Sequence, residues 1–393
     1  MKFADRAGKI KSSEIRETLK LLSDPAVISF AGGNPDKDFF PKDEIKNSCI
    51  RVLNEVGGDS LQYSMTEGLP ELRDYIAKRM NTKLKTKMDA ENILIVSGGQ
   101  QALFLSGELF LNKGDKIITE SPTYFGALNA FRSKEIEIIG IPLESDGINI
   151  ELLEEALEKE NNVKLIYVIP DSQNPTGWSW SEEKRKKIAE LACRYDIPII
   201  EDSPYKELNY IGEELPTIQY YDKTGQVIYL GSFSKTFCPG FRLGWIAGDK
   251  DIVRKYTILK QGVDLQTSTF TQYVLLDFLK HNDYDEYISY LKDRYKARLQ
   301  LMIEGINKEF PLGCQYHLPK GGLFVWLKLP QKVDVQVFLQ EAINKKVAFI
   351  KGQSFFPGGS DEKLIRLNFS NSSEERITEG MARLGHILRG MIN

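Results

Sequence analysis

Histidine and cysteine are scarce in this 393-residue chain: three of the first (His281, His317, His386) and four of the second (Cys49, Cys193, Cys238, Cys314). They form no HExxH spacing, no CxxC pair and no neighbouring triad, so metal-dependent hydrolysis, zinc modules, disulfide frameworks and histidine-driven nucleophilic catalysis lack their residues. Isolated thiols fit a reducing compartment, and His317, within CQYHLPKGG, reads as structural. No apolar run approaches the roughly 18 residues that a bilayer span needs. The N-terminal stretch MKFADRAGKIKSSEIRETLKLL has no continuous apolar segment of the secretory type, so a soluble, cytoplasmic protein is expected. Charge of one sign is missing too. The chain has 52 Lys and Arg against 55 Asp and Glu, a net charge of −3, with the signs interspersed. That gives no basic stripe for nucleic acid and no polybasic membrane patch. There is no GxGxxG turn, repeat or low-complexity tract. Small-molecule partners remain.

What is present is the patterning of an α/β protein. Apolar runs in NILIV, DKIITE, VKLIYVIP, IPIIED and QVIYLG alternate with helical stretches from about Asn92 onward. In SEEKRKKIAELACRYD, Ile188, Leu191, Ala192 and Tyr195 share one helical face, behind Ser181 or Ser179 as N-cap. Strands apolar on both faces and separated by helices predict a mainly parallel sheet with helices on both sides. A long helix from about Tyr284 then leads to GGLFVWLKLP and KLIRLNFS, read as strands of a smaller α+β unit. FAGGNPDKDFFP is a Gly/Pro-rich connection near the other end. The expected organisation is an N-terminal arm over 1–45, a large domain over 46–285 and a small domain over 286–393, the smaller built from both chain ends.

In such sheets ligands sit outside the carboxyl ends of the strands. Polar residues gather there, at 97–101, 121–124, 171–177, 202–205 and 232–235. Asp202 follows a buried strand, where a carboxylate is costly unless a cation or several donors meet it. It is either a turn or helix-capping aspartate or the partner of a protonated ring nitrogen, as in enzymes that use pyridoxal 5′-phosphate (PLP), and Tyr205 lies one short turn on. Lys235, in GSFSKTFCPGFRLGW, sits on a tight small-residue turn. Beside Arg242 it would lose its proton readily and could form an imine with an aldehyde. Ser232, Ser234 and Arg242 suit a phosphate, and SGGQQ opens a helix whose first N–H groups favour an anion. A diglycine turn alone is common. The combination is not.

With SSEIRETLKLL, FAGGNPDKDFFP, LQYSMTEGLPELR, SGGQQALFL, DSQNPTG, EDSPY, SFSKTFCPGFRLGW, GGLFVWLKLP and IRLNFS in order, nearly the whole chain resembles the class I/II aminotransferases of PLP fold type I. The likeness is nearest to the branch of 2-aminoadipate and kynurenine aminotransferases and MocR-type effector domains. The resemblance implies that Lys235 holds PLP as a Schiff base and later shuttles a proton, that Asp202 keeps the pyridine nitrogen protonated, and that Tyr205 and Asn174 bond the phenolic oxygen. Tyr124 would stack on the ring. Gly99, Gln100, Ser232, Ser234 and Arg242 would hold the phosphate, with Tyr63 reaching it from the neighbouring subunit of a homodimer. Arg366 would clamp the substrate α-carboxylate, with Asn174 and Gly33 beside it. Arg16, in SEIRE, meets a distal carboxylate in the aminoadipate-type branch, but the same IRE occurs in relatives with other substrates. Gly99 departs from the frequent SGSQQ, keeping an N–H donor and losing a hydroxyl. The activity implied is ping-pong transfer of the amino group of an L-amino acid to a 2-oxo acid, 2-oxoglutarate being the expected acceptor. A PLP-dependent β-elimination lyase is the alternative within this chemistry. A non-catalytic PLP-binding regulator is the alternative outside it, set against by a chain that starts at the aminotransferase arm and has no DNA footprint.

Overall fold

The aliphatic runs fold as buried strands. In the computed structural model, which describes residues 24–360 and 362–392, the strands in chain order are β1 (Ile28–Ser29), β2 (Ile93–Val96), β3 (Lys116–Ser121), β4 (Glu137–Glu144), β5 (Gly147–Ile148), β6 (Val163–Val168) and β7 (Ile199–Asp202). They continue as β8 (Val227–Ser232), β9 (Gly244–Ala247), β10 (Gln315–Tyr316), β11 (Phe324–Lys328), β12 (Val347–Ala348), β13 (Ile350–Lys351) and β14 (Leu364–Asn368). The large sheet runs β2-β9-β8-β7-β6-β3-β4-β5. The pairings β8–β7–β6–β3–β4 are all parallel. β9 is antiparallel to both its neighbours, β2 and β8.

Alternation along each strand feeds two faces, as a period of two requires. Leu94 and Val96 join Tyr167, Ile200 and Ile228 under the helices Gly99–Phe110 and Lys250–Gln261. Ile93 and Ile95 point the other way, into a cluster with Leu72, Ile76 and Leu275. Further along, Ile118, Ile166 and Ile199 pack on the helix Glu182–Tyr195 through Ile188 and Leu191. Of the two candidate caps for that helix, Ser181 acts: its Oγ accepts from Lys184 N at 3.4 Å. Every strand of the centre is thus covered on both sides, and the α/β reading of the pattern holds.

The C-terminal strands form a separate antiparallel sheet, β10-β11-β14-β13. The helices Tyr284–Glu309, Val335–Asn344 and Glu374–Ile392 pack on it through Tyr295, Phe338 and Leu384. The other end of the chain joins here, for β1 pairs in parallel with β12 and Phe30 lies in the same core. Just beyond, Asp36 is buried against Arg298, whose Nη2 donates to Asp36 Oδ2 at 2.6 Å and whose guanidinium lies 4.4 Å from the centre of the Phe39 ring. These contacts stretch residues 30–36 as a strap between the two sheets.

The loops at the sheet rim are tied from below. Asp171, after β6, is buried with Arg185 and Lys206. Arg185 Nη2 reaches Asp171 Oδ1 at 2.8 Å and Lys206 Nζ reaches the same oxygen at 3.3 Å. Burial pushes the Asp171 carboxyl up, but the two cations outweigh it and hold the group below its ordinary range. Removing one partner of a buried pair leaves the other charge without compensation, at a cost of about 3–5 kcal/mol. Arg185→Met is therefore expected to lower unfolding stability by about that amount, read from the midpoint of urea denaturation; a loss under 1 kcal/mol would mean that the cluster is solvated or dispensable.

Candidate active site

Where the parallel strands end, a cavity of about 280 Å³ opens between the rim loops and the 30–36 strap. Three cations line it, Lys235, Arg242 and Arg366, against one carboxylate, Asp202, among the described residues. Such a surplus of positive charge in a recessed site is suited to an anionic ligand.

Lys235 sits on the turn that follows β8, a turn closed by Phe237 N donating to Phe233 O at 2.8 Å. Its Nζ donates to Gly33 O of the strap at 2.9 Å. Burial, then the neighbouring Arg366 and Arg242, lower its pKa to about 8, with Asp202 acting the other way. Asp202 ends β7 and is buried. Burial raises its pKa to about 6, opposed by a hydrogen bond from Tyr167 Oη at 2.8 Å and by Lys235. Tyr205 is buried in the turn after Asp202, edge-on to Phe324.

Arg366, at the centre of β14, is 2% exposed. Its Nη1 donates to Asn174 Oδ1 at 2.8 Å and its Nη2 to Ala31 O at 2.6 Å, while the buried Nε has no partner among the described residues. The rings of Phe324 and Phe355 lie 4.2 and 4.9 Å from its guanidinium carbon. Burial lowers its pKa to about 10, so it remains a cation at neutral pH.

The opposite end of the cavity is built on small residues. Gly98 has φ +79°, and a Cβ there would come within 2.6 Å of Arg242 Nη2; glycine alone lets the guanidinium pass beneath the turn. Gly99 and Gln100 begin the helix Gly99–Phe110 and line the cavity with Ser232 and Ser234. Tyr124, at the head of the helix Phe125–Arg132, folds back over Gly126, where a Cβ would lie 2.4 Å from its Cζ.

Thus Lys235, Asp202, Tyr205, Tyr124, Asn174, Gly99, Gln100, Ser232, Ser234, Arg242, Arg366 and Gly33 all line one cavity. Tyr63 stands apart at the surface, 78% exposed, and Arg16 lies outside the described residues. Sequence reasoning missed Tyr167 and Ala31. A tyrosine inside VKLIYVIP is a faint signal of a buried hydroxyl seeking an acceptor, whereas a backbone carbonyl leaves no trace in residue type.

The aminotransferase class I and II family matches residues 25–384, and the chain belongs to it. It is 42% identical over 391 residues to aromatic-amino-acid aminotransferase 1 of Thermococcus litoralis, covering 98% of this chain and 94% of that one. The crystal structure of Pyrococcus horikoshii kynurenine aminotransferase superposes with a TM-score of 0.95 at 38% identity, covering 100% of this chain and 98% of the other. That of the α-aminoadipate aminotransferase from Thermus thermophilus, complexed with N-(5′-phosphopyridoxyl)-L-leucine, gives 0.92 at 34%, covering 99% and 98%. The fold is accordingly PLP fold type I, the chain is an enzyme of amino-group transfer, and its cofactor is PLP. The cavity fits that group: three cations and one buried carboxylate line it among the described residues, and a Cβ at Gly98 would displace the Arg242 guanidinium.

Because burial, and then the neighbouring cations, lower the Lys235 pKa to about 8, its amine in cofactor-free protein is expected to be half neutral near that pH, and its trinitrophenylation rate should rise through it and level off above. Arg366→Met should move the midpoint upward. A wild-type midpoint at 10 or above, followed by mass spectrometry of the Lys235 peptide, would show that the cations do not act on it.

Proposed function

We propose that the enzyme moves the amino group of an L-amino acid to 2-oxoglutarate by a ping-pong course, in a cytoplasmic homodimer. The observation that carries this reading is Arg366: buried, held between two aromatic rings and, among the described residues, bonded only to neutral acceptors with Nε unpartnered. A guanidinium so placed is completed by a ligand carboxylate, which it can grip in bidentate fashion.

When bound, PLP supplies an electron sink that weakens the bonds at the substrate Cα. Lys235 Nζ would be the residue that holds the cofactor, and as a free amine with a pKa lowered to about 8 it could accept the Cα proton of the substrate. Asp202 would keep a proton on the ring nitrogen, and the Tyr167 hydrogen bond favours its ionised form. Tyr205 and Asn174 would bond the phenolic oxygen, and Tyr124 would cover one ring face. Gly99, Gln100, Ser232, Ser234 and Arg242 would hold the phosphate. Arg366, with Asn174 and Gly33 beside it, fixes the α-carboxylate and thereby the direction of the Cα–H bond.

The names of the relatives support aromatic, kynurenine-like or 2-aminoadipate donors. A second copy is supported by exposed apolar side chains at Leu61 (71%), Tyr63 (78%), Met65 (50%), Val263 (48%) and Leu265 (48%). Their two segments are joined by Gln266 Oε1 accepting from Ser64 N, and Tyr63 on this face would meet the neighbour's phosphate. The free, unpaired cysteines support the compartment.

A panel of amino donors with 2-oxoglutarate, read as oxo-acid product, tests the reading; pyruvate and ammonia released without any acceptor would point to a lyase instead. Borohydride reduction of the yellow holoenzyme is expected to fix the label on Lys235 and on no other lysine, and Lys235→Ala should be folded and unlabelled. Arg366→Ala should raise KM for amino acids at least about 100-fold, the loss of a bidentate charge-assisted contact, while leaving simple amines nearly unaffected. Equal losses for both would remove its clamping role.

A further inference from the structure

Behind the phosphate end of the cavity lies a charged cluster to which no role in the chemistry has been given. Lys260, with its side chain 0% exposed, donates to Asp264 Oδ1 at 2.6 Å. The other oxygen, Asp264 Oδ2, accepts from Ser97 Oγ at 2.9 Å and from Gln101 Nε2 at 2.7 Å. Ser97 is bound at its remaining polar atoms as well: its N donates to Gln101 Oε1 at 2.7 Å, and its O accepts from Arg242 Nη2 at 3.3 Å. A serine whose amide, carbonyl and hydroxyl are all taken cannot rotate, and Gly98 and Gly99 follow it directly.

The charges explain why an aspartate is there. A buried ammonium needs a counter-charge, which Asp264 supplies at 2.6 Å from Lys260 Nζ, and a carboxylate accepts more strongly than a neutral amide would. Asp264 itself does not line the cavity. Two residues on, Gln266 holds Ser64 beside Tyr63, so one short segment orders both the local turn and the stretch that faces a second copy.

We propose that Asp264 is a positioning residue for the cofactor phosphate, fixing the turn at 97–99 so that the first N–H groups of the following helix and the Arg242 guanidinium converge on one anion. This rests on the assignment of Gly99, Gln100 and Arg242 to the phosphate given above.

The test compares PLP with pyridoxal, the same aldehyde without the phosphate. Full-length protein loaded with either is dialysed to equilibrium over a range of free ligand, and the retained ligand is read from its absorbance. Asp264→Asn is expected to weaken PLP retention roughly ten-fold, the scale on which outer-shell partners act, and to leave pyridoxal within about two-fold. Ser97→Ala, which removes one bond without uncovering Lys260, should act in the same direction and less, and it serves if Asp264→Asn does not fold. Equal weakening of both ligands, or of neither, overturns the proposal. Wild-type protein that retains PLP no better than pyridoxal would overturn the phosphate assignment itself, and the role of Asp264 with it.

Discussion

A buried guanidinium with no carboxylate partner among the described residues sets the terms for everything around it. Arg366 is surrounded by an amide oxygen, a backbone carbonyl and two aromatic faces, which together hold a cation in place yet leave its charge uncompensated. Burial and that charge together make the Lys235 amine lose its proton more readily, and Asp202 is the single opposing carboxylate on the cavity wall among the described residues. The three groups form one electrostatic unit. Because interactions strengthen as water is excluded, the strap over residues 30–36 belongs to the unit too, since it supplies Ala31 O to Arg366 and Gly33 O to Lys235.

The side chains that face the cavity are carried by loops, and the loops are steadied one layer back by charged pairs. Asp171, Arg185 and Lys206 lie beneath the segments bearing Asn174 and Tyr205; Asp36 with Arg298 anchors the strap. Pairs of this kind contribute little net stability over apolar packing. What they do provide is direction, because a carboxylate with two or three donors has one geometry that satisfies all of them. The hydrophobic clusters hold the layers together, and the ionic ones fix where the rim points.

The residues that face a ligand were the legible part. Lys235, Asp202, Asn174 and Arg366 stand in short motifs whose residue types are chemically unusual at the end of an apolar strand, and periodicity placed those strands and the Ser181-capped helix. What stayed hidden has a common physical character. The reversed direction of β9 leaves no mark on an apolar run, because a strand buried on both faces reads alike either way. Tyr167 is indistinguishable in sequence from a core aromatic until its hydroxyl is seen against Asp202. Ala31 acts through its carbonyl, and Asp264 acts from a loop far along the chain on a turn that it meets only in three dimensions.

The antiparallel course of β9 carries one more implication. Lys235 stands at the head of the outgoing limb and Arg242 at the head of the returning one, with Ser232 and Gly244 paired in register at their base. That register holds the two ends of the 233–243 connection side by side, so the lysine of the outgoing limb and the arginine of the returning one open on a single cavity although seven positions separate them in the chain.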